Sequence, residues 1–144
     1  DEITTPETNI IGDSRRSLKD WPAIDYKMNL TEFQRLTGKS SDPQPAITDL
    51  ARQKKRRIFV TMAENGIICG NPDGTTYHEP ARPIQGEIDI VGAGDTVMAN
   101  LAAALAAKAN SQEALQLANT AASVVIHKLG TTGTATVDEI ESLL

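Results

Sequence analysis

At 144 residues, with 40% hydrophobic and 23% charged side chains, the chain holds one domain with a real core; two ordinary domains and compositional disorder are both excluded. Fourteen basic against nineteen acidic residues give a net charge of −5, which argues against nonspecific binding to nucleic acid or to anionic membranes. The single cysteine, Cys69, rules out an internal disulfide, and the longest apolar stretch, residues 101–107, is far too short to span a bilayer.

In chain order, the opening Asp1-Glu2-Ile3-Thr4-Thr5-Pro6 has no initiator Met and no recognisable leader, as expected of a processed chain or a piece of a larger fold. The expectation is a cytoplasmic α/β domain. Asn9-Ile10-Ile11-Gly12-Asp13 reads as a buried strand whose carboxyl end meets a functional edge. Ala23 to Met28 reads as a second strand, followed by Asn29 and a short amphipathic helix carrying Phe33 and Leu36, with Gly38 as C-cap. Pro43 and Pro45 mark a loop before a helix from about Ala46 to Lys55. The basic run Arg52, Lys54, Lys55, Arg56, Arg57 is the solvated end of that helix, where cations complement the dipole. Ile58 to Thr61 is a strand, Asn65-Gly66 a turn, and Ile67 to Cys69 its hairpin partner. Asn71-Pro72-Asp73-Gly74 turns the chain into a strand near Thr75 to His78. The alternation predicts a largely parallel sheet with crossover helices.

From Thr96 onward the pattern is helical. Val97, Leu101, Ala104 and Leu105 share one face, and Asn110-Ser111 ends that helix and caps the next. Leu115, Ala118, Ala122, Val125 and Ile126 form the next stripe, Gly130 closes it, and Thr136-x-x-Glu139 is a capping box for a final short helix. His78 and His127 are expected to be structural.

The chemistry gathers at Gly92-Ala93-Gly94-Asp95, between the strand-like run Ile88, Ile90, Val91 and the helix of Val97. Two glycines allow a tight turn whose N–H groups and helix dipole suit an anion. An aspartate in that turn is placed to accept a proton from a hydroxyl attacking an electrophile held there, the pairing that phosphoryl transfer requires. An N-cap aspartate in an ordinary glycine turn is the competing reading. No Gly-Lys-Ser/Thr element is present, so this is not a P-loop. Asp13-Ser14-Arg15-Arg16 follows a strand end, where ligands sit in open α/β sheets. Arg15 or Arg16 there would grip a substrate phosphate, or else form a surface ion pair.

Asp89-Ile90-Val91-Gly92-Ala93-Gly94-Asp95-Thr96, with the alanine-rich helices and Lys128-Leu129-Gly130-Thr131, resembles the second signature and C-terminal region of the ribokinase, or PfkB, family of carbohydrate kinases. Within it the likeness is greatest to the heptose-phosphate kinase domains of bacterial ADP-heptose synthesis. The resemblance implies a three-layer, Rossmann-like α/β sheet with flanking helices, of which residues 1–144 are the C-terminal, nucleotide-binding half. The N-terminal half, with its lid and most sugar contacts, would be absent. It implies ATP and Mg2+ as co-reactants and a sugar or sugar-phosphate as acceptor. Asp95 would be the base, with Gly92 forming the turn and the amides of Ala93, Gly94 and Asp95 the anion hole. Asn29-Leu30-Thr31-Glu32 resembles the family's Asn-x-x-Glu element, in which Glu32 organises magnesium through water; read alone it is a helix cap.

Thr61, Glu64 and Gly66 match the segment lining the nucleotide site, with Ala63 where the family usually has glycine, and Asn119 matches a position near the adenine. Asp89, the carbonyls of Val91, Lys128 and Gly130, and Thr134 correspond to a K+ site; for Asp89 the alternative is a loop-stabilising acceptor. Asp13 and Arg15 would face the substrate. Association with the missing half, or with a second copy, would cover the exposed sheet edge. A non-catalytic nucleotide-binding module, or a nucleoside or vitamin kinase, stands as the alternative.

Overall fold

A computed structural model describes residues 9–38 and 42–144; the opening Asp1–Pro6 lies outside them. Its sheet has five strands in chain order: β1 (Ile11–Gly12), β2 (Asp25–Asn29), β3 (Ile58–Thr61), β4 (Ile67–Gly70) and β5 (Thr76–Glu79). Helices α1 (Leu30–Thr37) and α2 (Pro43–Lys54) lie between β2 and β3, and α3 (Ala93–Ala106), α4 (Ser111–Val125) and α5 (Val137–Glu141) follow the sheet.

Strand periodicity separates two cores. Tyr26, Met28, Ile58, Val60 and Ile68 pack with Phe33 of α1 and with Ile47, Leu50 and Ala51 of α2. The alternate residues Phe59, Ile67 and Cys69 pack with Val97, Leu101 and Leu105 of α3 and with Leu115 and Ala118 of α4. The sheet is therefore the middle of three layers, as the family resemblance implies. The stripe read for α3 points inward, as does that of α4 at Leu115, Ala118 and Val125; Ala122 is half-buried, and Ile126 is half-buried just past the helix.

The sheet is mixed, which corrects the expectation of a largely parallel one. β1 pairs with β2 and β2 with β3 in parallel; β3 with β4 and β4 with β5 are antiparallel. The reason is connection length: the links at 62–66 and 71–75 are too short to carry a chain back across the sheet. The first link is also longer than a two-residue Asn65-Gly66 turn, because Ala63–Asn65 form a 3-10 turn. No helix joins β1 to β2.

Three further expectations shift. Pro43 and Pro45 stand in the first turn of α2, with Asp42 as N-cap accepting from Gln44 N at 3.0 Å. Proline lacks an N–H that a first turn leaves unbonded anyway, so it opens this helix rather than preceding it. The run Ile88, Ile90, Val91 is not a strand; Ile90 and Val91 are 72% and 60% exposed. α3 begins at Ala93, three residues before Thr96, and α4 ends at Val125, well before Gly130.

The basic run does end α2, but it is bonded as well as solvated. Arg57 is paired with the buried Asp25 of β2 at 2.6 Å, and Arg56 Nε donates to the Ala23 carbonyl at 2.6 Å. Both histidines are structural: His78 Nε2 lies 2.6 Å from the Asn65 carbonyl, and His127 Nδ1 lies 2.6 Å from that of Ser123.

Candidate active site

Because β1, β2 and β3 run parallel, their carboxyl ends deliver Asp13, Asn29 and Thr61 to one edge, with Asn29 and Thr61 as register partners. This is where open α/β sheets bind ligands. The amino end of α3 reaches the same edge. A β-carbon built on Gly94 would lie 3.3 Å from Nζ of Lys27, a residue of β2 two positions before Asn29.

The turn into α3 depends on glycine. Gly92 is left-handed at φ 82°, and a β-carbon there would come within 2.8 Å of the Thr132 methyl. The Ala93 amide donates to the Ile90 carbonyl at 3.1 Å and Thr96 N to the Gly92 carbonyl at 2.9 Å. The amides of Gly94 and Asp95 have no acceptor among the described residues, so two of the three predicted anion-hole donors are open. Asp95 is exposed in the first turn of α3, and its carboxylate has no hydrogen-bond or ion-pair partner among the described residues. It does not act as the N-cap; that position is Gly92.

Asn29 and Glu32 form a reciprocal cap. Asn29 Oδ1 accepts from Glu32 N at 2.8 Å, and Glu32 Oε2 accepts from Asn29 N at 2.8 Å. Glu32 also lines a cleft of about 210 Å³ together with Ser14, Arg16, Ser17 and Arg35. Arg16 lines this cleft; Arg15 does not. Among the described residues no three His, Cys, Asp or Glu side chains are grouped to hold a metal ion. Were magnesium to come with substrate phosphates and water, its usual habit, Glu32 would keep Oε1 free of hydrogen bonds among the described residues.

The loops bearing Asp89 and Gly130 do meet. Asp89 accepts from Val91 N at 3.0 Å and from Gly130 N at 3.2 Å, so it ties the two loops together. Carboxylate lone pairs remain for a cation. The Thr134 carbonyl, however, already accepts from Lys128 Nζ at 2.5 Å. That carbonyl keeps a second lone pair, so Asp89 and the oxygens of Val91, Lys128, Gly130 and Thr134 all retain room to accept a potassium ion. Lys128 also pairs with Glu139 at 2.8 Å; that hydrogen bond, with those from Thr136, pulls the Glu139 carboxyl down to about 2.

Of the residues expected near a nucleotide, Thr61 is half-buried, Glu64 exposed and Gly66 buried. A β-carbon on Gly66 would fall 2.0 Å from the Glu79 carbonyl, and its φ is 85°, so glycine is required there. Ala63 has φ 48°, the left-handed conformation that makes glycine the natural occupant. Asn119 is buried and donates from Nδ2 to the Pro80 carbonyl at 2.8 Å.

Residues 13–137 match the model of the pfkB family carbohydrate kinases. The chain belongs to that family. Curated relatives of this pfkB-family chain include the bifunctional protein HldE of Halorhodospira halophila, 40% identical over 121 residues, which are 81% of this chain and 25% of the relative. HldE of Pseudomonas savastanoi pv. phaseolicola is 39% identical over 107 residues, covering 72% of this chain and 22% of the relative. Among solved structures, the Arabidopsis thaliana ribokinase complexed with ribose and ATP aligns with TM-score 0.78 at 23% identity, over 92% of this chain and 46% of that one. The Escherichia coli phosphofructokinase-2 in complex with potassium aligns with TM-score 0.78 at 20% identity, over 92% and 45%. The chain thus spans about a quarter of its curated relatives and under half of these structures.

Lys27 escaped the sequence reading of this pfkB-family chain. It lies in a strand between the core residues Tyr26 and Met28, so its one signal was a charge at a buried alternating position.

Proposed function

We propose that this chain is the nucleotide-side half of an ATP-dependent carbohydrate kinase. The observation that carries the proposal is the unpartnered Asp95 carboxylate standing beside two open amides at a glycine turn. In the reaction, Asp95 accepts the proton of an acceptor hydroxyl. The hydroxyl oxygen bonds to the γ-phosphorus as the bond from that phosphorus to the ADP oxygen breaks. The Gly94 and Asp95 amides stabilise the charge on the transferring group. Magnesium, bound with the phosphates and oriented through water by Glu32, would neutralise the nucleotide's charge.

The acceptor is a sugar or sugar-phosphate, with heptose phosphate favoured by the likeness to heptose-phosphate kinase domains. Thr61, Glu64, Gly66 and Asn119 would line the nucleotide, and Asp13 and, in place of Arg15, Arg16 of the cleft would face the substrate side. Potassium would sit between the Asp89 and Gly130 loops. Among the described residues no helix is long and apolar enough to cross a membrane, and a kinase that draws on ATP would work in the cytoplasm. The exposed Ile90, Val91 and Leu129 would be covered by the other half of the kinase or by a second copy. A purely nucleotide-binding module has no use for an unpartnered aspartate in this turn, which counts against that alternative. Calorimetry with magnesium–ATP, followed by a sugar-phosphorylation assay on the protein carrying this chain, tests the proposal: binding and turnover support it, and binding without turnover on any sugar or sugar-phosphate overturns it.

A further inference from the structure

The Lys27 ammonium sits in a place that is electrostatically poor for a cation. Its side chain is 6% exposed, and its Nζ lies against Gly94 in the first turn of α3. A helix amino end carries about half a positive charge and repels a cation placed there. Asp13 Oδ2 balances Lys27 at 2.8 Å. That uses one of the three ammonium donors; the other two have no acceptor among the described residues.

A nearby ion pair shows what a structural arrangement looks like. On the same strand, Asp25 receives bonds from Arg57 N at 2.9 Å and Arg57 Nε at 2.8 Å, engaging both of its oxygens. The Lys27–Asp13 pair has no such closure. Two ammonium donors lie beside Gly94, in the same first turn whose Gly94 and Asp95 amides are open, a set of donors that suits a group with several anionic oxygens. A buried ion pair seldom stabilises a fold more than an apolar pair of the same size, so stability alone gives weak reason for a lysine here.

We infer that Lys27 is a catalytic residue that donates hydrogen bonds to oxygens of the phosphoryl group as it passes from ATP to the acceptor. Asp13 is its positioning residue. The inference rests on the kinase reading and adds to it a fixed protein cation at the point of transfer. Lys27 gives up no proton; the acceptor's proton still goes to Asp95. Gly94 lacks a side chain for a matching reason, since a methyl group there would crowd the ammonium.

The decisive variant, made in the kinase that carries this chain, is the double change Asp13→Asn with Lys27→Met. Removing both partners leaves no unpaired buried charge, so the protein should melt close to the parent temperature. Turnover should fall about 100-fold, the usual loss for one transition-state donor, while KM for ATP moves little. A normally melting double variant with parental turnover overturns the inference. Should the variant not fold, 15N-lysine NMR of the parent decides: the Lys27 Nζ signal should shift when magnesium–ADP and aluminium fluoride are added, and an unmoved signal overturns the inference. A parent inactive on every sugar sinks the kinase reading itself, whereas an active parent with an indifferent double variant sinks only the role of Lys27.

Discussion

Two helices of this protein open with the same four-residue pattern. Asn29-x-x-Glu32 starts α1 and Asn110-x-x-Glu113 starts α4, and both close a reciprocal capping box. The bonds match closely: 2.8 and 2.8 Å in the first, 2.9 and 3.0 Å in the second. The surroundings differ. Asn29 ends a parallel strand, lies opposite Thr61, and places Glu32 on a cleft with Arg16 and Arg35. Asn110 follows the far end of α3, beside Ser111, whose hydroxyl donates to Asn71 Oδ1 at 2.6 Å. One pattern thus has two settings, and the carboxyl ends of the parallel strands decide which cap also borders a cleft.

The largest effect expected lies outside both caps and sets the scale. Asp95→Asn in the complete kinase should lower turnover by about a thousandfold while ATP still binds, measured by steady-state kinetics and calorimetry. An active Asn variant would remove Asp95 from the role of base.

The two caps can then be separated directly. Glu→Gln keeps the acceptor that a capping box needs but removes the charge. Glu32→Gln should reduce turnover by about tenfold or more and raise the magnesium requirement, since the role proposed for Glu32 needs a carboxylate to order the metal's water. Glu113→Gln should change neither. Equal kinetics for the two variants would reduce Asn29-x-x-Glu32 to a cap and nothing more. Asn29→Ala and Asn110→Ala should each cost about 1 kcal/mol in denaturant melts, because locally the two caps are the same device.

A third capping box adds a pH handle. Lys128 and Thr136 hold Glu139 at about 2. A carboxyl depressed in the folded state contributes stability above its unfolded value near 4.5, and that contribution is lost as pH falls toward 2. Acid titration should therefore loosen α5 within that window, and Glu139→Gln should flatten the dependence there. Ala63→Gly should give the smallest change, a gain of about 1 kcal/mol in thermal or denaturant melts, by relieving the left-handed strain at φ 48°.

Much of this was legible in the chain itself. Local rules specify local features: the caps at Asn29, Asn110 and Thr136, the glycine turn at Gly92, and the stripes of Val97, Leu101 and Leu115 all follow from neighbours within a turn or two. The same locality explains the misreadings. Pro43 looks like a helix breaker unless the first turn's spare N–H positions are considered. Ile88, Ile90 and Val91 look like a strand unless one knows that, among the described residues, no strand pairs with them.

Only the tertiary structure decided that Lys27 meets Asp13 and Gly94. These residues are separated in sequence by up to 81 positions, and no periodicity links them; parallel strand pairing and the packing of α3 bring them together. Sequence patterns therefore settled most elements, the caps at Asn29, Asn110 and Thr136, and the family signature, because short-range backbone hydrogen bonding and side-chain periodicity are local. Which charges share a desolvated corner was settled by the fold, because that depends on long-range packing.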